Sequence, residues 1–286
     1  MSAPAVAIRV RALRKSYGTR RAVDGVSFTL DAGECLGLLG PNGAGKTTTV
    51  EILEGYRPRD GGEVSVLGHD PSRLDRGFRE RIGVVLQHSD SWPNVTVAET
   101  LRIYAGYYRH PRDVPEVIEL VGLDAKRDAR VKTLSGGQKR RLDLGLALVG
   151  DPDLVFLDEP TTGFDPQARR NAWEMVRGLR ALGKTILLTT HYLDEAQQLA
   201  DRVAVLRDGL IVKEGSPAEL VAASQTEIRY RENGEVKVVA TEQPTRVLHE
   251  LTSRAVSEGR ELDELEVRRG TLEDVYLDLL REEEHA

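Results

Sequence analysis

Gly40-Pro41-Asn42-Gly43-Ala44-Gly45-Lys46-Thr47 fits the pattern G-x-x-x-x-G-K-[ST] in full. The chemistry this suits is the capture of a polyphosphate. Glycines let backbone N–H groups curl around an anion without a Cβ in the way. A helix N-terminus behind the loop adds unpaired donors and the positive end of a dipole. Lys46 can reach the β- and γ-phosphates, and Thr47, with Thr48 beside it, offers a hydroxyl toward Mg²⁺. A second set stands at Asp158-Glu159, which ends the apolar run Leu154-Val155-Phe156-Leu157. Carboxylates at the C-terminal end of a buried strand sit where open α/β sheets bind ligands. Asp158 would hold Mg²⁺ through its water shell, leaving Glu159 to orient or deprotonate an attacking water. Singly, the two sets could be a glycine-rich turn and an ordinary strand end. A glycine loop placed between an expected strand and an expected helix, paired with the acidic strand end, makes phosphate chemistry the stronger reading.

Many phosphate-handling proteins share those two features, so the discriminating residues lie elsewhere. Leu134-Ser135-Gly136-Gly137-Gln138 precedes an expected helix. Ser135 can cap that helix, yet a cap does not explain two glycines, which make a second anion cradle. With this pentapeptide the sequence resembles the ABC ATPase family, whose signature it is, and the further matches run in the family's order across residues 6–215. The resemblance implies ATP and Mg²⁺ as cofactors. It also implies a head-to-tail homodimer, because one chain does not need two γ-phosphate cradles for one ATP. Each nucleotide would lie between the Gly40–Thr47 loop of one copy and Ser135, Gly136, Gly137 and Gln138 of the other. Tyr17 matches the family aromatic that stacks on adenine. Gln87 matches a glutamine that contacts Mg²⁺ and the attacking water. His191 resembles the histidine that contacts the γ-phosphate. Thr162-Gly163-Phe164-Asp165 matches the loop crossing the dimer interface, with Phe164 where the family usually has Leu.

These residues need a scaffold, and the patterning supplies one. Short β-branched or Leu-rich runs alternate with helical patterns, as in a largely parallel sheet covered by helices. Residues 6–13 and 26–30 alternate apolar and polar, as half-buried antiparallel strands do. Runs at 35–39, 82–86, 154–157, 185–189 and 203–206 read as buried strands, and 96–108, 114–121, 137–149, 166–182 and 193–200 as helices. After Pro217 the character changes. Alternating segments 226–230 and 235–240 flank Asn233-Gly234, a two-residue hairpin signal. A helix over 245–256, a strand over 261–267 and an amphipathic helix over 272–280 follow, the last with Leu272, Val275, Tyr276 and Leu279 at i, i+3, i+4 and i+7. The expected fold is α/β: a P-loop NTPase (RecA-like) core with an antiparallel β subdomain and a helical subdomain carrying the signature, plus a small α+β C-terminal appendage. The boundaries are 1–220 for the ATPase domain, about 89–148 for its helical part, and 221–286 for the appendage.

Composition narrows the partners. The 286 residues carry 40 basic and 46 acidic side chains, a net charge of −6, where a nucleic-acid binder usually shows a basic excess. No nucleic-acid partner is expected. The single cysteine, Cys35, sits in an apolar run, so a buried inert thiol in a reducing compartment is expected. Met1-Ser2-Ala3-Pro4-Ala5-Val6 lacks the form of a signal peptide, and no stretch nears the ~18 apolar residues a spanning helix needs. Membrane work is therefore expected to use another chain. In the resembled family, residues between Gln87 and Ser135 receive the coupling helix of a membrane subunit. Trp92, in Ser89-Asp90-Ser91-Trp92-Pro93, either docks there or plugs a small satellite core. Leu272-Glu273-Asp274-Val275-Tyr276-Leu277 and His191-Tyr192-Leu193-Asp194-Glu195-Ala196 resemble ABC-2-type exporter ATPases. The implied function is an ATPase at the cytoplasmic face of the cell membrane, held there by a separate transmembrane permease and driving efflux. A soluble ABC ATPase acting on nucleic acid or the ribosome is the alternative. One cassette, one cysteine, no heptad run and the acidic balance count against it. An ATP-binding regulator without hydrolysis would lack Glu159 or a signature glycine, and both are present.

Overall fold

The computed structural model describes residues 5–73, 75–85, 92–222, 226–232, 235–268 and 270–281, with side chains to 277 in the last segment. The chain divides into two compact units, Met1–Glu214 and Gly215–Ala286.

In the first unit, β1 (Val6–Tyr17) and β2 (Arg20–Asp31) form one long antiparallel hairpin. β3 (Cys35–Leu39) runs through the glycine loop into α1 (Lys46–Leu53), and β4 (Gly61–Val66) returns to pair with β1. The hairpin is longer than the alternating stretches suggested because register shifts break the alternation, between Val10 and Leu13 for example. β4 escaped the sequence reading because only Val64 and Val66 of its six residues are buried. α2 (Arg76–Glu80), β5 (Ile82–Val85), α3 (Val97–Ala105), α4 (Val114–Leu120) and α5 (Gly136–Leu148) come next. Then follow β6 (Leu154–Asp158), α6 (Pro166–Ala181), β7 (Thr185–Thr190), α7 (Leu193–Leu199), β8 (Arg202–Arg207) and β9 (Leu210–Gly215).

The main sheet has the order β5-β6-β7-β3-β8-β9, parallel from β5 through β8. Every residue of β3 and β7 is buried, as central strands covered on both faces must be. Asp208 and Gly209, both at positive φ (48° and 78°), turn β8 into β9, the conformation a two-residue hairpin needs. β9 is an edge strand with no buried residue; its apolar start, Leu210-Ile211-Val212, is too short to read as a strand on its own.

Two cores flank the main sheet. One joins α3, α4 and α5 to it through Leu101, Val117, Leu142 and Leu157. The other joins the antiparallel sheet to it through Ile8, Phe28, Leu36 and Phe156. α3 starts with a complete capping box of Thr96 and Glu99, and α5 with one of Ser135 and Gln138. Cys35 is fully buried, and burial pushes its thiol up to about 12, the setting of a structural rather than a reactive cysteine.

The second unit contains α8 (Pro217–Ala222), β10 (Thr226–Glu232), β11 (Glu235–Thr241), α9 (Pro244–Ser257), β12 (Asp263–Arg268) and α10 (Leu272–Arg281). Its sheet has the order β11-β10-β12, antiparallel throughout. Asn233-Gly234 lies outside the described residues, with Glu232 opposite Glu235 on the strands that flank it. Ile228 and Tyr230 fill the sheet's buried face, and Leu272 and Val275 the buried face of α10. Leu220 of α8 is buried as well, and α8 packs on α10, so α8 belongs with this second unit.

Candidate nucleotide site

The strand-to-helix turn after β3 works only with glycine at key points. A Cβ on Gly40 would stand 2.2 Å from the carbonyl oxygen of Leu206, and one on Gly45 2.3 Å from that of Ala22. Gly45 also has φ +105°, a conformation L side chains rarely adopt. Behind the loop, α1 begins at Lys46 with no side-chain cap on its N-terminus, so its first N–H groups are left for a ligand.

Lys46 is nearly buried, and its ammonium donates to the carbonyls of Gly40 (2.8 Å) and Pro41 (3.1 Å). It also forms an ion pair with Glu159 Oε1 at 3.6 Å. Burial pulls the Lys46 pKa down, and Glu159 opposes the shift. The ammonium is thus folded back over the loop.

Asp158 ends β6, two strands from β3 in the sheet, and Glu159 is the next residue. Burial pushes the Asp158 carboxyl up, while a hydrogen bond donated by Thr189 Oγ1 holds it back. Glu159 adopts the left-handed region, φ 46°, a backbone state that costs a non-glycine residue about 1 kcal/mol or more. Its N–H donates to Thr189, and Thr162 Oγ1 donates to its Oε2 at 3.1 Å. His191, just beyond β7, places Nδ1 3.3 Å from Glu159 Oε1 without hydrogen-bond alignment. Lys46, Thr162 and His191 therefore surround one carboxylate that is only 11% exposed.

A cavity of about 610 Å³ lies over the loop, lined by Tyr17, Arg20, Ala22, Asn42, Gly43, Gly45, Lys46, Thr47, Thr48 and Glu159. Tyr17 is 42% exposed, with Arg57 5.4 Å and Lys15 5.7 Å from its ring centroid. Pro41 meets Lys46 through its carbonyl, and Ala44, buried, accepts from the Gly209 N–H. Thr47 and Asp158 are hard oxygen donors. Among the described residues no group of three or more His, Cys, Asp or Glu side chains could hold a metal unaided. It is the oxygen donors of Thr47 and Asp158 that fit Mg²⁺, which takes one or two protein ligands and completes its shell with waters and substrate phosphates. Gln87 lies outside the described residues.

Ser135, Gly136, Gly137, Gln138 and Asp165 line a different cavity, of about 920 Å³, with Thr162, Gly163 and Phe164. Ser135 caps α5, accepting from the Gln138 N–H at 3.3 Å. A Cβ on Gly136 or Gly137 would meet nothing within 4 Å. Asp165 caps α6, accepting from the N–H groups of Gln167 and Ala168. Within one chain its carboxylate is therefore a helix cap, and its place in the nucleotide set depends on a second copy.

The sequence reading missed Arg20, whose guanidinium donates to the Gly43 carbonyl at 3.0 Å, and Thr189, which links Asp158 to Glu159. Both come from neighbouring strands, and no local spacing marks them. Trp92 is 49% exposed, tilted against Tyr104 with ring centroids 6.4 Å apart.

A glycine loop joining a parallel strand to a helix N-terminus, with two carboxylates on a nearby strand end, defines a P-loop nucleotide-binding fold. The comparisons give the family. Residues 23–162 match the family model described as ABC transporter. "Nod factor export ATP-binding protein I" of Paraburkholderia xenovorans (strain LB400) is 48% identical over 225 residues, 77% of this chain and 74% of that protein. The chain belongs to the ABC transporter family and is one of its ATPases. A solved ATP-binding subunit of an ABC transporter shares the fold over 96% of this chain and 99% of its own, with a TM-score of 0.71 at 22% identity. The structure of cbiO1 from Clostridium perfringens, described as part of the ABC transporter complex cbiONQ, covers 77% of this chain and 92% of its own. Its TM-score is 0.69 at 27% identity.

Proposed function

We propose that this chain is the ATP-hydrolysing subunit of an ABC-2-type exporter, acting as a homodimer that closes head-to-tail around two ATP·Mg²⁺ and drives efflux through a separate transmembrane permease. One observation carries the dimer: the phosphate loop and the Ser135–Gln138 loop line two separate cavities of a single chain. The donors of the second cavity then serve a nucleotide brought by another copy. The open space beside Gly136 and Gly137 leaves room for that phosphate. In this reading Thr47, Asp158 and Gln87 serve Mg²⁺, Glu159 with Gln87 and His191 serves the attacking water and γ-phosphate, and Tyr17 stacks on adenine. Asp165 crosses the dimer interface.

Export is supported by the names of the relatives and by the motifs after His191 and Leu272. Among the described residues no helix is long and apolar enough to cross a membrane, which fits a peripheral subunit on the cytoplasmic side. Trp92, Tyr104 and the exposed Tyr107 form an aromatic surface on the helical part where a permease segment can dock.

Ser135→Arg tests the dimer. It should leave ATP binding to the single chain within about twofold while abolishing ATP-dependent dimerisation and turnover, because the new side chain fills the second cavity and replaces the cap. Isothermal titration paired with light scattering reads both. Equal loss of binding and dimerisation would assign the loop to the same chain's own site.

Residues beyond the first unit are proposed to serve assembly rather than nucleotide binding. A chain ending after Gly215, the last residue of β9, should fold and bind ATP like the full protein but lose dimer stability or transport. Aggregation of the shortened chain, or undiminished transport, would refute this.

A further inference from the structure

Beyond the groups that meet nucleotide, one buried side chain joins the segments that carry them. Glu195, on the first turn of α7, is fully buried. Its Oε1 accepts from Thr161 Oγ1 at 2.8 Å and from the indole N–H of Trp173 at 3.2 Å. Among the described residues its Oε2 has no hydrogen-bond partner. Burial raises the carboxyl pKa, and the hydroxyl of Thr190, with Thr161 and Trp173, opposes the rise. A buried carboxyl with one unsatisfied oxygen costs stability, and an apolar residue would fill the space more cheaply. The partners explain what the carboxyl does there.

Thr161 stands two residues after Glu159, on the turn whose next residue, Thr162, donates to Glu159 Oε2. Thr190 ends β7 immediately before His191, and its Oγ1 accepts from the Tyr192 N–H at 2.9 Å. Trp173 lies on α6, the helix that Asp165 caps. α6 also reaches α7 through Arg169, which pairs with Asp194 at 3.1 Å and stacks over Tyr192 at 4.3 Å. One carboxyl thus lies against the turn after Glu159, the strand end before His191 and the helix after the Thr162–Asp165 loop.

We propose that Glu195 is a positioning residue for hydrolysis, holding Glu159 and His191 in register with the Thr162–Asp165 loop. It touches no nucleotide. It acts through Thr161, Thr190 and Trp173, so that movement of the loop is transmitted to the carboxylate facing the water. This rests on the assignment of Glu159 to the attacking water.

The test is ATP hydrolysis by the purified full chain with Mg²⁺, alongside binding of a fluorescent ATP analogue and thermal unfolding. Glu195→Ala should lower kcat about tenfold or more, as misplaced reacting groups do, with KM and analogue affinity within about twofold. Glu195→Gln keeps an acceptor for Thr161 and Trp173 and should restore most of the rate. Thr161→Val, nearly isosteric, removes one donor and should lower kcat in the same sense. Combined with Glu195→Ala it should add little, because the two act as a unit. If Glu195→Ala fails to fold, Thr161→Val and Trp173→Phe carry the test. Parental kcat in those two, or in a folded Glu195→Ala, overturns the proposal. So does a Gln variant as slow as Ala, or parallel loss of kcat and ATP affinity. Glu159→Gln assayed beside them separates the two assignments. If it turns over normally, the role of Glu159 fails. If it is inactive while the Glu195 and Thr161 variants are normal, only the positioning role fails.

Discussion

Glu159→Gln should bind ATP yet hydrolyse it roughly 10²–10⁴ times more slowly, the share of a positioned general base. An amide cannot take the proton from water, but it keeps the length and shape of the side chain. Gln can still accept from Thr162, which donates to Oε2 at 3.1 Å in the native protein. The substitution also removes a negative charge 3.6 Å from the Lys46 ammonium, close to where the γ-phosphate must sit. Less repulsion toward ATP together with slower cleavage predicts that the ATP-bound dimer accumulates. Phosphate release and light scattering with ATP·Mg²⁺ check both halves. Normal turnover with monomers only would remove Glu159 from its assigned role.

Lys46→Ala should reduce turnover below detection and weaken ATP binding about ten- to a hundredfold, from loss of a charge-assisted contact of ~1.5–3 kcal/mol. The fold should survive, because among the described residues the ammonium's partners are two loop carbonyls and one carboxylate. Removing it leaves Glu159 with Thr162 and His191 beside it, still 11% exposed and so not stranded out of reach of water. Titration with ATP and thermal unfolding in its absence separate a binding defect from a folding one. Hydrolysis at the parental rate would show that the Gly40–Thr47 loop is not the phosphate site.

The parts of this architecture written in short contiguous runs were readable before any coordinates. Gly40–Thr47, Asp158-Glu159 and Ser135–Gln138 each stand within a few residues of one another, and the apolar stretches of β3 and of Ile186–Leu188 in β7 mark central strands. Parts made by residues far apart in sequence were not. Thr189 reaches Asp158 only because β6 and β7 are neighbours, with Asp158 opposite Thr189. Arg20 reaches Gly43 only because β2 comes back beside the loop. Glu195 was legible only as part of the His191–Ala196 motif, and its contacts come from Thr161 and Trp173, 34 and 22 residues away in the chain. β4 and β9 were passed over for a different reason: edge or short strands bury too little to leave a periodic signal.

Gly136 and Gly137 have a consequence for how sequence variants of this protein would sort. Among the described residues nothing outside the helix's own backbone stands within 4 Å of a Cβ at either position, and both occupy the first turn of α5, a helix in whose interior alanine is the better former by about 1 kcal/mol. A library screened for expression or heat resistance would therefore keep alanine at both sites and even enrich it. The same library screened for growth that depends on the transporter would discard it. The two rankings would cross at these positions, whereas at Gly40 and Gly45, where backbone oxygens stand 2.2 and 2.3 Å from the added carbon, both screens would reject the change. Such crossing points mark surfaces whose constraint comes from outside the molecule, and they can be sought before any partner is identified.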